Sequence, residues 1–254
     1  MDRIHQLYSL KGLRIIVTGA SGGLGYHMAV MLAESGATVY GLSRSGKPKS
    51  GYLSMIPENL IFDKLDVSRE QDIKVKINDI GNDGGIDVLV NNAGVNLKKR
   101  AETLSRANWE QMMDVNLYGV YHCCKYAFPF LKASKHPGRI INISSMASHL
   151  GFSKVLPYTA SKSAVLGLTR GLAVEWAHEN ILVNSVSPGW FPSELNKDVI
   201  DAEREQKILS RMPLHRYGRP DELSPVICFL ASPAATYITG QDFSVDGGAR
   251  AFGF

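Results

Sequence analysis

The chain has 254 residues, 44% of them hydrophobic, and a formal net charge of +4. That suffices to bury one sizeable core, and a single α/β domain over residues 1–254 is the natural organisation. The charge is too mild, and too little interleaved with aromatics, to point to nucleic acid; no apolar run reaches the roughly 18 residues of a membrane span.

The first element is Arg14-Ile15-Ile16-Val17-Thr18, a mostly β-branched run of the kind that forms a strand buried on both faces. It enters Gly19-Ala20-Ser21-Gly22-Gly23-Leu24-Gly25, then a helical pattern from Tyr26 to Glu34 and a second strand, Thr38 to Leu42. Strand, glycine turn, helix and strand make a dinucleotide-binding βαβ unit, in which backbone turns sharply and approaches a pyrophosphate. An acidic residue ending the second strand would repel a 2′-phosphate, but Ser43-Arg44-Ser45 stands there, followed by Gly46-Lys47-Pro48-Lys49. A hydroxyl beside an arginine suits a phosphate, so NADP(H) is expected over NAD(H), the weaker alternative.

Asn59 to Phe62 begins a third strand ending near Leu65-Asp66-Val67, and Ser68 is expected to cap a helix running to Ile80. Ile86 to Val90 is a fourth strand, with Asn91-Asn92-Ala93-Gly94 at its carboxyl end, where open parallel sheets bind ligands. From Ser105 one long helix is expected past Val120, with Asn116 inside its apolar pattern. Strands at 139–143 and 181–186 flank a helix from Pro157 to Ala177, and Ser187-Pro188-Gly189 breaks the second of these strands. Residues 194–212 are charged and helical, expected as a mobile segment over the cleft; a helix at 221–230 and a strand at 241–245 complete the chain. Three cysteines, two of them adjacent, form neither a disulfide framework nor a metal spacing, and residues 1–11 lack the apolar core of a signal peptide. A cytoplasmic protein without a metal is expected.

Tyr158-Thr159-Ala160-Ser161-Lys162 places a phenol and an ammonium four residues apart, on one face of a helix that Pro157 opens. A free phenol, with a pKa of roughly 10, exchanges protons poorly at neutral pH. A nearby ammonium and the positive end of the helix dipole both favour the phenolate, which makes Tyr158 a candidate acid/base.

With Thr18-Gly19-x3-Gly23-x-Gly25, Asn91 to Gly94, Asn116, Ser145, Tyr158-x3-Lys162 and Pro188-Gly189 in this order, the chain resembles the short-chain dehydrogenases/reductases. The resemblance runs from about Tyr8 to Gly248. It implies a Rossmann fold with a doubly wound seven-stranded parallel sheet and helices on both faces. It also implies hydride transfer between a nicotinamide and an alcohol or ketone, in a homotetramer or homodimer. By that resemblance Ser145, thirteen positions before Tyr158, orients the substrate carbonyl. Tyr158 is the general acid or base, Lys162 holds the nicotinamide ribose, and Asn116 fixes a relay water. The cofactor then lies along Gly19, Ser21, Gly23, Leu24, Gly25, Ser43 and Arg44, with Asp66 and Val67 at the adenine. Asn92, Ala93, Gly94, Tyr158, Lys162, Pro188, Gly189, Phe191 and Ser193 complete its contacts, with Ser193 where Thr is commoner.

The opening Tyr8-Ser9-Leu10-Lys11-Gly12 and the run 157–163 look similar to sugar-acid and polyol members such as the gluconate 5-dehydrogenase and 2-deoxygluconate 3-dehydrogenase groups. Lys98 to Arg100, or His149 and Lys154, would then meet a carboxylate. The alternative is a reductase of 3-oxoacyl or bulky alicyclic ketones, walled by Met146, Leu150, Phe152, Leu156, Trp190 and Phe191. A non-catalytic dinucleotide sensor is the remaining class, disfavoured because all four catalytic positions are filled.

Overall fold

β1 (Arg14–Thr18) lies inside the sheet, with both its edges paired and its side chains buried on both faces. The computed structural model describes residues 3–52, 56–192 and 202–252, with backbone alone for 202–204 and 207. β1 joins β2 (Thr38–Ser43), β3 (Leu60–Lys64), β4 (Val88–Asn91), β5 (Gly138–Ile143), β6 (Ile181–Pro188) and β7 (Asp242–Val245) in one sheet. The order is β3-β2-β1-β4-β5-β6-β7, and every pairing is parallel.

Side chains alternate across each strand, so the sheet feeds two cores. Ile15, Val17, Val88, Val90, Ile141 and Ile143 face the layer containing α2 (Gly23–Glu34) and α8 (Pro220–Ala231). Ile16, Leu89, Ile140, Ile181 and Val183 face the other layer, made by α3 (Glu70–Gly84), α5 (Gly119–Lys132) and α6 (Leu156–Trp176). Each such fully buried side chain contributes about 1.5–3 kcal/mol. α1 is Arg3–Tyr8 and α7 is Ala202–Arg211; of the segment expected over the cleft, residues 194–201 lie outside the described residues.

Three expectations are corrected. Ser68 does not cap α3: its hydroxyl and N–H both donate to the Asp66 carboxylate (2.7 and 3.0 Å), a local turn that competes with capping, and the helix starts at Glu70. The long helix expected from Ser105 does run unbroken to Lys132, but not regularly: α4 (Arg106–Met113), capped by Ser105, passes through a widened π turn over Asp114–Tyr118 into α5. β6 continues through Pro188 instead of breaking at Ser187, because Ser185 to Pro188 pair with β7.

Candidate active site

Between β1 and β4 the sheet's crossovers diverge, and a cleft opens beyond their carboxyl ends. Thr18 ties the two strands together there: its Oγ1 accepts from the N–H groups of Asn92 (3.0 Å) and Ala93 (3.1 Å). Asn92 returns the link by donating its amide to the carbonyls of Thr18 (2.9 Å) and Gly19 (3.2 Å). Gly19 has a φ of +71°, and a Cβ on it would sit 2.8 Å from Ala93 Cα. The closeness extends to α2, where a Cβ on Gly25 would sit 2.3 Å from the Gly19 carbonyl oxygen. Only glycine fits either position, and the result is a backbone cradle opening onto the first turn of α2.

A cavity of about 820 Å³ runs from this cradle to the start of α6. Gly19, Ser21, Gly23, Leu24 and Gly25 form its floor, and Ser43 and Arg44 enter from the end of β2. Asp66 and Val67 line it from the loop after β3, and Asn92, Ala93 and Gly94 from the loop after β4. Pro188, Gly189 and Phe191 close the far side, while Ser193 lies outside the described residues. Burial pushes the Asp66 carboxyl up, but the two bonds from Ser68, with Arg44 and Arg69 nearby, outweigh it and leave it below its usual range.

Ser145, Tyr158 and Lys162 meet on the wall opposite the cradle. α6 begins at Leu156, so Tyr158 falls in its first turn and Lys162 one turn on, with Lys162 Nζ 5.9 Å from the centre of the Tyr158 ring. The lysine is buried, and Nζ donates to the Ile143 carbonyl at the end of β5 (2.7 Å). Burial among neutral groups lowers its pKa to about 8. Burial pushes the Tyr158 phenol up, and a hydrogen bond with Ser145 acts against it. The phenolate preference expected from the neighbouring ammonium and the helix dipole therefore yields, in the protein alone, to desolvation.

The two adjacent serines divide the work. Ser144 Oγ donates to the Lys162 carbonyl (3.0 Å) and pairs with Ser148 Oγ (2.6 Å), which ties the loop after β5 to α6. Ser145 caps the short turn Met146–Ser148, its Oγ accepting from Ala147 N–H (3.1 Å), and so keeps its own proton to donate toward Tyr158. Asn116 does not line the cavity; it lies fully buried behind it, in the π turn. Its Oδ1 accepts from Val95 N–H (2.8 Å), and its Nδ2 donates to the Val95 carbonyl (2.9 Å) and Ser161 Oγ (3.1 Å). This clamps the Gly94–Val95 loop beside Lys162: a Cβ on Gly94 would be 3.3 Å from Asn116 Oδ1 and 3.6 Å from Lys162 Nζ.

Taken together these positions decide the family. A family model described as enoyl-(acyl carrier protein) reductase matches residues 19–250. The chain is a short-chain dehydrogenase/reductase. It is 37% identical to the 2-dehydro-3-deoxy-D-gluconate 5-dehydrogenase of Bacillus subtilis (strain 168), over 98% of each chain. The 3-oxoacyl-[acyl-carrier-protein] reductase of Vibrio cholerae is 34% identical, over 94% of this chain and 98% of its own. The crystal structure of a gluconate 5-dehydrogenase from Burkholderia cenocepacia, in complex with NADP and tartrate, superposes with a TM-score of 0.90. That structure shares 32% identity and covers 98% of this chain and 99% of its own.

At the end of the cavity beside Ser145 and Tyr158, Phe152 and Trp190 meet edge to face with ring centroids 5.8 Å apart, and Met146 and Val155 complete an apolar wall. Leu150 and Leu156, expected in that wall, are not part of it. Three of the basic residues expected at a carboxylate are engaged elsewhere. Arg100 pairs with Glu102, Lys99 donates to Asn108 (3.0 Å), and His149 bonds Asp242 (2.7 Å). Neither they nor Lys154 line the cavity; among the described residues its lining cations are Arg44, Lys49 and Lys162. Lys49 was legible only as part of a basic loop, since nothing local shows that the chain returns to the cleft. No helix among the described residues is long and apolar enough to cross a membrane.

Proposed function

We propose that this enzyme interconverts a secondary alcohol and a ketone with NADP(H), acting on a sugar acid or a related hydroxylated keto acid. The observation that carries the chemistry is the convergence of Ser145 and Tyr158 on one cavity wall with Lys162 one turn behind. Gly19, Gly25 and Asn92 leave a cradle that a Cβ would fill, which fits a pyrophosphate, and Ser43-Arg44 in place of an acidic residue fits a 2′-phosphate. The two sugar-acid dehydrogenases named above, one of them with NADP in its complex, support the sugar-acid assignment.

When bound, the nicotinamide supplies or accepts the hydride. In reduction Ser145 donates a hydrogen bond to the substrate carbonyl oxygen, and Tyr158 transfers its phenolic proton to that oxygen. Lys162, with a pKa of about 8, gains and loses a proton close to neutral pH and stabilises the tyrosinate left behind. Asn116 holds the Gly94–Val95 loop against Lys162 and, in this reading, fixes the water that returns the proton. In oxidation the same groups run in reverse, with Tyr158 as base. Assembly as a homodimer or homotetramer in the cytoplasm belongs to the same proposal and is checked by light scattering and fractionation.

One observation favours a second reading. The Phe152–Trp190 wall suits a bulky or acyl ketone better than a polyol. A single experiment separates the readings: initial rates of NADPH and NADH oxidation over keto sugar acids, 3-oxoacyl thioesters and cyclic ketones, with Tyr158→Phe as the blank. Turnover of keto acids that vanishes in the variant, while NADPH still binds, is the expected result. Turnover confined to hydrophobic ketones would remove the sugar-acid assignment, and activity retained by Tyr158→Phe would remove the mechanism.

A further inference from the structure

The chain leaving β2 doubles back over the glycine-rich loop and is pinned to it twice. Lys49 N–H donates to the Ser21 carbonyl (2.9 Å). Three residues on, the Tyr52 hydroxyl accepts from Gly23 N–H (3.0 Å), while its ring sits against Tyr26 and His27 of α2, with centroids at 4.8 and 5.8 Å. This strap crosses the loop at Gly22, where a Cβ would lie 3.1 Å from Tyr52 Cε2 and 3.4 Å from Lys49 Cδ. The φ of Gly22 is 178°, ordinary extended backbone, so glycine is there for space and not for conformation. The lysine stem thus runs along the loop, and Lys49 lines the same cavity as Ser43, Arg44 and Ser45.

Charge gives this placement its meaning. Asp66 lines the same part of the cavity, and its carboxylate, held by Ser68, would repel a phosphate nearby. Arg44 and Arg69 both lie near that carboxylate, but Arg69 pairs with Asp72 (3.6 Å) and does not line the cavity, so within the cavity Lys49 is the cation placed beside Arg44 to favour an anion. A bidentate arginine also engages two oxygens of a phosphate and leaves the third for another donor, a task suited to a lysine ammonium.

We propose that Lys49, positioned by Tyr52 on this strap, is a second specificity-determining cation that acts with Arg44 on an adenosine 2′-phosphate. The proposal rests on the NADP(H) reading and extends it to a residue and a device outside the β2 terminus. It is tested on the full chain by calorimetric titration with adenosine 2′,5′-bisphosphate and with 5′-AMP, so that no turnover enters. Lys49→Ala, an exposed position whose backbone bond to Ser21 survives, is expected to weaken the bisphosphate about tenfold to a hundredfold and 5′-AMP by less than about twofold. In a Tyr52→Ala background, where the strap has lost its anchor, Lys49→Ala is expected to add less than about threefold; a merely structural tyrosine would leave the lysine's effect whole. If Arg44→Ala weakens the bisphosphate while Lys49→Ala does not, the proposal is overturned and the NADP(H) reading stands. If the parent protein holds both ligands equally, the NADP(H) reading falls and the proposal falls with it.

Discussion

Replacing Lys162 by methionine separates the cost of the buried ammonium from its use. The side chain is 3% exposed, and among the described residues no carboxylate contributes to its titration; burial alone moves it from 10.5 to about 8. At roughly 1.4 kcal/mol per pH unit, that difference means the ammonium costs the folded protein about 3 kcal/mol wherever it stays protonated. Below pH 8 both folded and unfolded states carry the proton, and the cost is present in full. Between pH 8 and 10.5 the folded state has released the proton and the unfolded state has not, so the unfolded state binds more protons and the stability of the parent rises with pH. Lys162→Met has no such dependence, and it leaves the Ile143 carbonyl without its donor, a loss of about 1 kcal/mol. The variant should therefore be more stable than the parent by about 2 kcal/mol at pH 7, and within about 0.5 kcal/mol of it at pH 10, where most of the ammonium's cost has been relieved. Urea unfolding of both proteins at the two pH values measures this, and the difference cancels every titration the two share. A gap that does not change between pH 7 and 10 would refute the claim that Lys162 is buried at the expense of stability.

Gly25→Ala puts a Cβ 2.3 Å from the Gly19 carbonyl oxygen and 2.4 Å from Asn92 Nδ2, and both neighbours are themselves held. Displacement of α2 is expected, with NADPH binding lost and thermal stability lowered; a variant that binds NADPH normally and melts with the parent would contradict the cradle. Asn116→Leu takes both side-chain partners from the half-buried Val95 N–H and carbonyl, a loss of about 1–3 kcal/mol by denaturant titration. A change below about 1 kcal/mol would show that the clamp on the Gly94–Val95 loop is dispensable.

The seven strands, their parallel arrangement and the dinucleotide unit are all legible in the chain. Apolar runs such as 14–18 and 86–90 report burial on both faces, and the glycine spacing reports a turn that only a close ligand or neighbouring backbone requires. Tyr158 and Lys162 are legible for the same reason, since helical spacing alone puts them one turn apart. Ser68 has the composition of a cap, and only the Asp66 carboxylate two residues back diverts it, whereas β6 runs on through Pro188 because distant β7 pairs with it.

The sequence by itself therefore determines what is carried by neighbours a few residues apart: strand period, helix face, glycine turns and the one-turn spacing of Tyr158 and Lys162. Only the tertiary structure decides contacts between distant segments. It commits Asn116 to Val95, turns His149 away to Asp242 across 93 residues, and lays Lys49 and Tyr52 over the loop at Ser21 and Gly23. The physical reason is that a hydrogen bond or charge acts over a few ångströms, and sequence patterns say nothing of which distant groups the folded sheet brings within that reach.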